Sequence, residues 1–171
     1  EQVVVQTRLG GEPPQLCARH IAIVADETLV GAESAFQPAP PAVFASLHFG
    51  LLSDDRPQLF GVTKDRGIFT CWRLGREAEA QWSAWREFPA PPWSPAGTPP
   101  RLSPLRGADG ALRLYSCANA EILVCEKESA DPNAGWTGWR GLGPPALRQE
   151  RVLVDVLAAA LPDGRRQLWA T

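Results

Sequence analysis

The chain has 171 residues, a formal charge of −2 and a pI near 5.7, so it carries no basic footprint for nucleic acid or an anionic membrane surface. Its aliphatic runs, such as VLVDVLAAAL (152–161), are too short to span a bilayer, and the length suits one or two domains with a real core. Seventeen Pro and fifteen Gly cluster between apolar runs, as in FPAPPWSPAGTPP (88–100), which is the punctuation of short strands and turns and leaves few windows for long helices.

Residues 1–42 are the least regular part. EQVVVQTRLGG (1–11) resembles GIFTCWRLG (67–75), which reads further on as the third strand of a unit. Alternatively, RHIAIVADETLVGAES (19–34) can be laid on a second and third strand, with Asp26-Glu27-Thr28 as the hairpin. The first reading is preferred, and on it QLWAT (167–171) supplies a second strand beside 1–11, as a strand-exchange clasp. No signal-peptide pattern stands at the start and Met is absent, so the chain reads as a processed or excised product, with a secreted or cell-surface location favoured.

Residues 43–93 read as a four-stranded unit. VFASLHFGLL (43–52) is mostly apolar and predicted to be buried on both faces. An acidic turn follows, then a strand carrying QLF (58–60), a hairpin at Lys64-Asp65-Arg66-Gly67 and a third strand, IFTCW (68–72). The W-x-x-W of QWSAWREFP (81–89) is predicted to be the fourth strand. Residues 100–145 repeat this order, with an Asp-Gly turn in ADGALRLY (108–115), a hairpin at Asn119-Ala120-Glu121, a strand ILVCE (122–126) and GWTGWRGLG (135–143). Residues 151–171 supply half a unit, VLVDVLAAAL and PDGRRQLW.

The landmarks keep a fixed spacing. Trp82, Trp85 and Cys71 map to Trp136, Trp139 and Cys125 at 54; Phe60 maps to Tyr115 at 55, and Tyr115 to Trp169 at 54; Asp55 maps to Asp109, and Asp109 to Asp163, both at 54. Four-stranded antiparallel units at this period predict an all-β fold of β-propeller blades, in a single propeller-type domain over 1–171. A lone sheet cannot cover both apolar faces, so blades stack around a ring. Propellers have about four to eight blades, whereas this chain supplies about three. A second chain or missing repeats must complete the ring, and a homodimer closing a six-bladed ring is favoured because the first and last strands look complementary.

Cys17, Cys71, Cys117 and Cys125 include no C-x-x-C pair, and His20 and His48 lie in no zinc-ligand spacing. They read as buried free thiols, with one disulfide as the other possibility, and no metal is expected.

The order D-G-x-L-x-x-[FY], turn, strand, G-W-[ST]-x-W-x-x-L-G stands here as DGALRLYSCANAEILVCEKESADPNAGWTGWRGLG (109–143). It resembles the bacterial and fungal propeller lectins of the PLL and tectonin type. The resemblance covers 43–93 and 100–145 well, 151–171 partly and the start poorly, and several propeller families share parts of the motif. It implies shallow interblade pockets for fucose or related saccharides, with no catalysis and no cofactor. The chain departs from it in the third strand, where Thr70-Cys71 and Val124-Cys125 stand in place of the carboxylate that fungal fucose-binding propellers repeat. Of the His and Trp of PLL-type third strands only Trp72 is present, with Glu126 in its place one unit later.

The residues point the same way independently. A neutral sugar needs an aromatic ring for its C–H face and planar polar groups for its hydroxyls. Gln58 with Phe60, Arg113 with Tyr115 and Gln167 with Trp169 are such pairs, each two apart on one strand face. Trp82 and Trp136 add rings, Trp72 and Trp93 break the repeat as exposed rings would, and Glu126 adds a carboxylate. The structural alternatives stay open: the repeated tryptophans as wedges between blades, Phe60 and Tyr115 as core, and Arg113 as an ion-pair partner.

No G-x-S-x-G, H-E-x-x-H or phosphate-binding glycine loop occurs, and Asp54, Asp55, Glu126 and Glu128 read as solvated acidic positions; no catalytic residue is expected. PDGRRQLW resembles a sialidase Asp-box turn but lacks its Ser or Thr. The expected function is glycan binding. The alternative is a protein–protein interaction or scaffold propeller of a larger secreted or toxin-like protein, since no polar site residue recurs in every unit.

Overall fold

The computed structural model describes residues 2–8, 15–24, 27–30, 34–35, 39–77, 80–92, 99–118, 121–143, 153 and 155–170, the segments before residue 39 by their backbone alone. Among these residues the chain is all-β, with no helix, built from antiparallel sheets of two to four strands. Sheet I holds β1 (Gln2–Arg8), β2 (Gln15–Val24), β3 (Glu27–Val30) and β4 (Ser34–Ala35), with β1, β3 and β4 all paired to β2. Sheet II is a meander of β5 (Phe44–Leu51), β6 (Pro57–Thr63), β7 (Ile68–Trp72) and β8 (Arg86–Phe88). Sheet III repeats it with β9 (Ser103–Arg106), β10 (Leu112–Ala118), β11 (Glu121–Glu126) and β12 (Arg140–Gly141). Sheet IV pairs β13 (Val156–Ala160) with β14 (Arg166–Ala170).

The first hairpin of sheets II, III and IV is one structure made three times. Leu52, Gly107 and Leu161 donate their N–H to the carbonyls of Arg56, Ala111 and Arg165 at 2.9, 2.9 and 2.7 Å. In each loop the fourth residue, Asp55, Gly110 or Gly164, has positive φ (66°, 80° and 82°) and donates back to the first residue's carbonyl. This is a three-residue loop with a left-handed final position, which glycine fills without strain. The preceding carboxylate, Asp54, Asp109 or Asp163, accepts from the backbone N–H two residues on. The structural equivalent of Asp109 and Asp163 is therefore Asp54, one residue earlier than the sequence spacing indicates; Asp55 stands in the glycine position.

The W-x-x-W pair precedes the fourth strand and does not form it. Trp82 and Trp136 each make a single bridge, to Arg73 and Lys127, and the regular strand starts after the second tryptophan. The reason lies in the residue after the first tryptophan. Ser83 Oγ accepts the N–H of Trp72 and Thr137 Oγ1 that of Glu126, both at 3.1 Å, so a hydroxyl takes donors that a strand carbonyl would take.

β5 also departs from expectation, since of its residues only Gly50 is buried and Phe49 is exposed. It is the edge of sheet II, while the central strands β6 and β10 are the ones covered on both faces. At Gly50 a Cβ would lie 2.9 Å from Leu112 and Pro104, which marks how closely sheet III approaches.

The sheets stack in series. Phe60, Val62, Ile68 and Phe88 of sheet II share a core with Leu112, Leu114 and Cys125 of sheet III. The opposite face of sheet III presents Tyr115, Cys117, Ile122 and Val124 to Val156, Ala158 and Leu168 of sheet IV. Polar contacts repeat the order: Arg106 Nη1 donates to the Leu52 carbonyl at 2.8 Å, and the Ala158 N–H donates to Ser103 Oγ at 2.8 Å. β5 lies beside β9, and β9 beside β13.

In sheet I, β1 pairs with β2 as a third strand pairs with a fourth, and β2 also hairpins with β3. Val24 faces Glu27, so Glu27 and Thr28 are strand residues and not hairpin loop, while Asp26 lies outside the described residues. Cys71, Cys117 and Cys125 are buried free thiols, with burial pushing Cys117 to about 11 and Cys125 to about 12; the side chain of Cys17 lies outside the described residues.

Candidate functional site

The ladders bring four of the sequence-predicted candidates together in two cross-strand pairs that the sequence reading did not make. Gln58 is the cross-strand partner of Trp72, and Arg113 that of Glu126. Both pairs lie at equivalent positions, the first on the face of sheet II turned to sheet III and the second on the face of sheet III turned to sheet IV. They line successive seams of the stack, with unlike chemistry.

At the seam of sheets II and III, Gln58 is only 2% exposed. Its Nε2 donates to Thr70 Oγ1 at 2.9 Å, and Thr70 in turn donates to the Leu59 carbonyl at 2.8 Å, so the amide orientation is set. Gln58 Oε1 is left buried with no donor. Beside it, the partly buried indole of Trp72 carries the Arg86 guanidinium 5.1 Å above its ring. Trp136 and Trp139 pack against the same core.

At the next seam Arg113 is held on three sides. Its Nε donates to Glu126 Oε2 at 2.8 Å, Nη1 to Asp109 Oδ1 at 2.7 Å and Nη2 to the other Asp109 oxygen. Arg140 Nη2 donates to Glu126 Oε1 at 2.7 Å. The Arg113 guanidinium holds Asp109 down at about 2, and Arg140 followed by Arg113 keeps Glu126 below its ordinary value. Asp109, Arg113 and Glu126, with Lys127, Glu128, Ser129, Ala130 and Thr137, line an open polar cleft of about 380 Å³. Arg113 is thus an ion-pair residue whose donors are already engaged.

The remaining candidates separate. Tyr115 is core, 2% exposed, its hydroxyl accepting from Arg166 Nη1 at 3.1 Å. Trp136 is a wedge between sheets, its ring 5.8 Å from Phe60 and 5.1 Å from Phe88, both edge-on, with Lys127 Nζ 5.3 Å over its face. Trp82 packs with Leu59 and Cys71 on the other face of sheet II, under Arg73. Gln167 and Trp169 are exposed on β14, and Trp93 lies outside the described residues.

Sequence reasoning passed over Arg86 and Arg140. Their signal was present, since each directly follows the second tryptophan of its pair, 54 residues apart. Among the described residues no helix is long and apolar enough to cross a membrane, and no group of three or more His, Cys, Asp or Glu could hold a metal ion.

No protein-family model and no curated protein sequence matches the chain.

Proposed function

We propose that sheets II, III and IV are consecutive β-propeller blades and that the chain is a non-catalytic carbohydrate-binding protein. The serial covering of one blade face by the next, with first strands side by side, supports the architecture. The ligand site is the seam at Gln58, Trp72 and Arg86. One observation carries it: Gln58 Oε1 is a buried acceptor without a donor, which a ligand hydroxyl would satisfy on displacing the side chains that now cover it. Trp72 supplies an indole at the seam, and the Arg86 guanidinium stacked over that ring supplies a planar donor. Fucose or a related neutral saccharide fits this set.

The unlike seams favour a second reading, a protein-interaction or scaffold propeller, because a multivalent lectin keeps similar pockets and here Arg113 and Glu126 replace Gln58 and Trp72. A glycan array with the purified chain separates the two. Binding to a defined saccharide, lost in Trp72→Ala and weakened in Gln58→Met, supports the lectin. A blank array with a stoichiometric co-purifying polypeptide supports the rival.

A further inference from the structure

Phe60, Tyr115 and Trp169 occupy one repeated position on the second strands β6, β10 and β14, yet they are 0%, 2% and 44% exposed. The first two are covered by the following sheet; Trp169 is not, and its cross-strand partner Leu157 is 62% exposed. Sheet IV thus offers a first and second strand with an open apolar face. Sheet I offers the complementary half: β1 matches the third strand β7 in sequence (QVVVQTRLG against GIFTCWRLG) and pairs with β2 as β7 pairs with β8.

We propose that β14 pairs with β1 of a second copy of this chain, so that β13, β14 and the partner's β1 and β2 form one continuous blade, with β3 and β4 extending it beyond β2. This rests on the reading of the sheets as blades. Three blades are fewer than the four or more that curve into a ring, so these 171 residues do not close on their own β1, whereas two copies make six. The ladder register follows from the repeat. Gln58 faces Trp72, Gln167 stands in the place of Gln58 and Thr7 in that of Trp72, so Gln167 faces Thr7 of the partner subunit. The reciprocal strand satisfies the backbone edge of β14 and brings a further sheet toward Leu157 and Trp169.

The test uses chains carrying Gln167→Cys or Thr7→Cys singly, each with Cys17→Ser, mixed and oxidised. The expected product is a disulfide-linked dimer of twice the 18.6 kDa chain mass. The unmodified chain should sediment at the same mass, and Trp169→Asp should raise the dissociation constant at least about 30-fold while the β-sheet circular dichroism persists. A monomer at all concentrations, or a disulfide formed only within one chain carrying both cysteines, overturns the proposal. A control separates its failure from that of the blade reading. Ser53→Cys with Ala130→Cys replaces a hydrogen-bonded contact between sheets II and III, so an internal disulfide there alongside a monomeric chain rejects only the dimer, and its absence rejects the stack itself.

Discussion

The indole Nε1–H of Trp139 donates to the carbonyl of Pro89 at 2.7 Å, tying the end of sheet III to the end of sheet II. The same ring meets Phe88 edge-on at 6.5 Å. Trp139→Phe keeps the ring contact and loses the bond, and should cost about 1 kcal/mol. Trp139→Ala also loses the ring, and about 2–3 kcal/mol is expected, below the loss for a fully buried aromatic because this indole is only partly covered. Urea unfolding midpoints of the two variants check the order.

Arg113 ties turn to strand by binding Asp109 and Glu126 together. Arg113→Met should destabilise the chain by about 1–3 kcal/mol, moderated because Arg140 still holds Glu126. Asp109 is depressed to about 2 in the folded state. Its contribution is therefore present above the ordinary carboxylate range and lost as pH falls from about 4 toward 2. The variant should lose that part of the acid dependence, visible in melts between pH 2 and 6.

His48 titrates in the opposite sense from a paired histidine. Burial first, then the neighbouring Arg101, lowers it from 6.5 to about 4, against Asp155 and a hydrogen bond with the Leu102 backbone that raise it. Ser46 Oγ lies 2.9 Å from its Nε2. The unfolded chain gains a proton near pH 6.5 that the folded chain refuses until about 4. Stability is full above pH 6.5 and falls between 6.5 and about 4, by roughly 1–3 kcal/mol for a partly buried ring. In His48→Gln this slope should vanish, and a slope that persists points to another group.

The left-handed loop position gives a paired test. Gly164→Ala should cost about 1 kcal/mol from backbone strain alone, since the added Cβ would meet only Ala108 at 3.8 Å. At the same place in sheet II, Asp55 already bears that strain and bonds Arg106 at 2.6 Å on the surface. Asp55→Gly trades the strain for a surface pair and should be neutral to stabilising by up to about 1 kcal/mol. Thermal melts of both variants should move in opposite directions or leave Asp55→Gly unmoved.

The amino-acid sequence by itself determined the repeat, and with it the strand order of sheets II and III, because turn chemistry and period-two alternation are local. Asp-Gly at 109–110 and 163–164 specifies the hairpin wherever it stands, and Leu beside an aromatic specifies the two faces of a strand. It paired Gln58 with Phe60 on one strand face, and the cross-strand partnership of Gln58 with Trp72 came only from the ladder register. Only the tertiary structure decided which candidates are buried and which exposed, because burial depends on what lies across the seam. Tyr115 and Trp169 share a position and differ in exposure solely because sheet IV covers one and no described sheet covers the other. Arg113 and Gln58 likewise share a position; carboxylates from a turn and a neighbouring strand saturate the first, whereas the second keeps an unanswered acceptor.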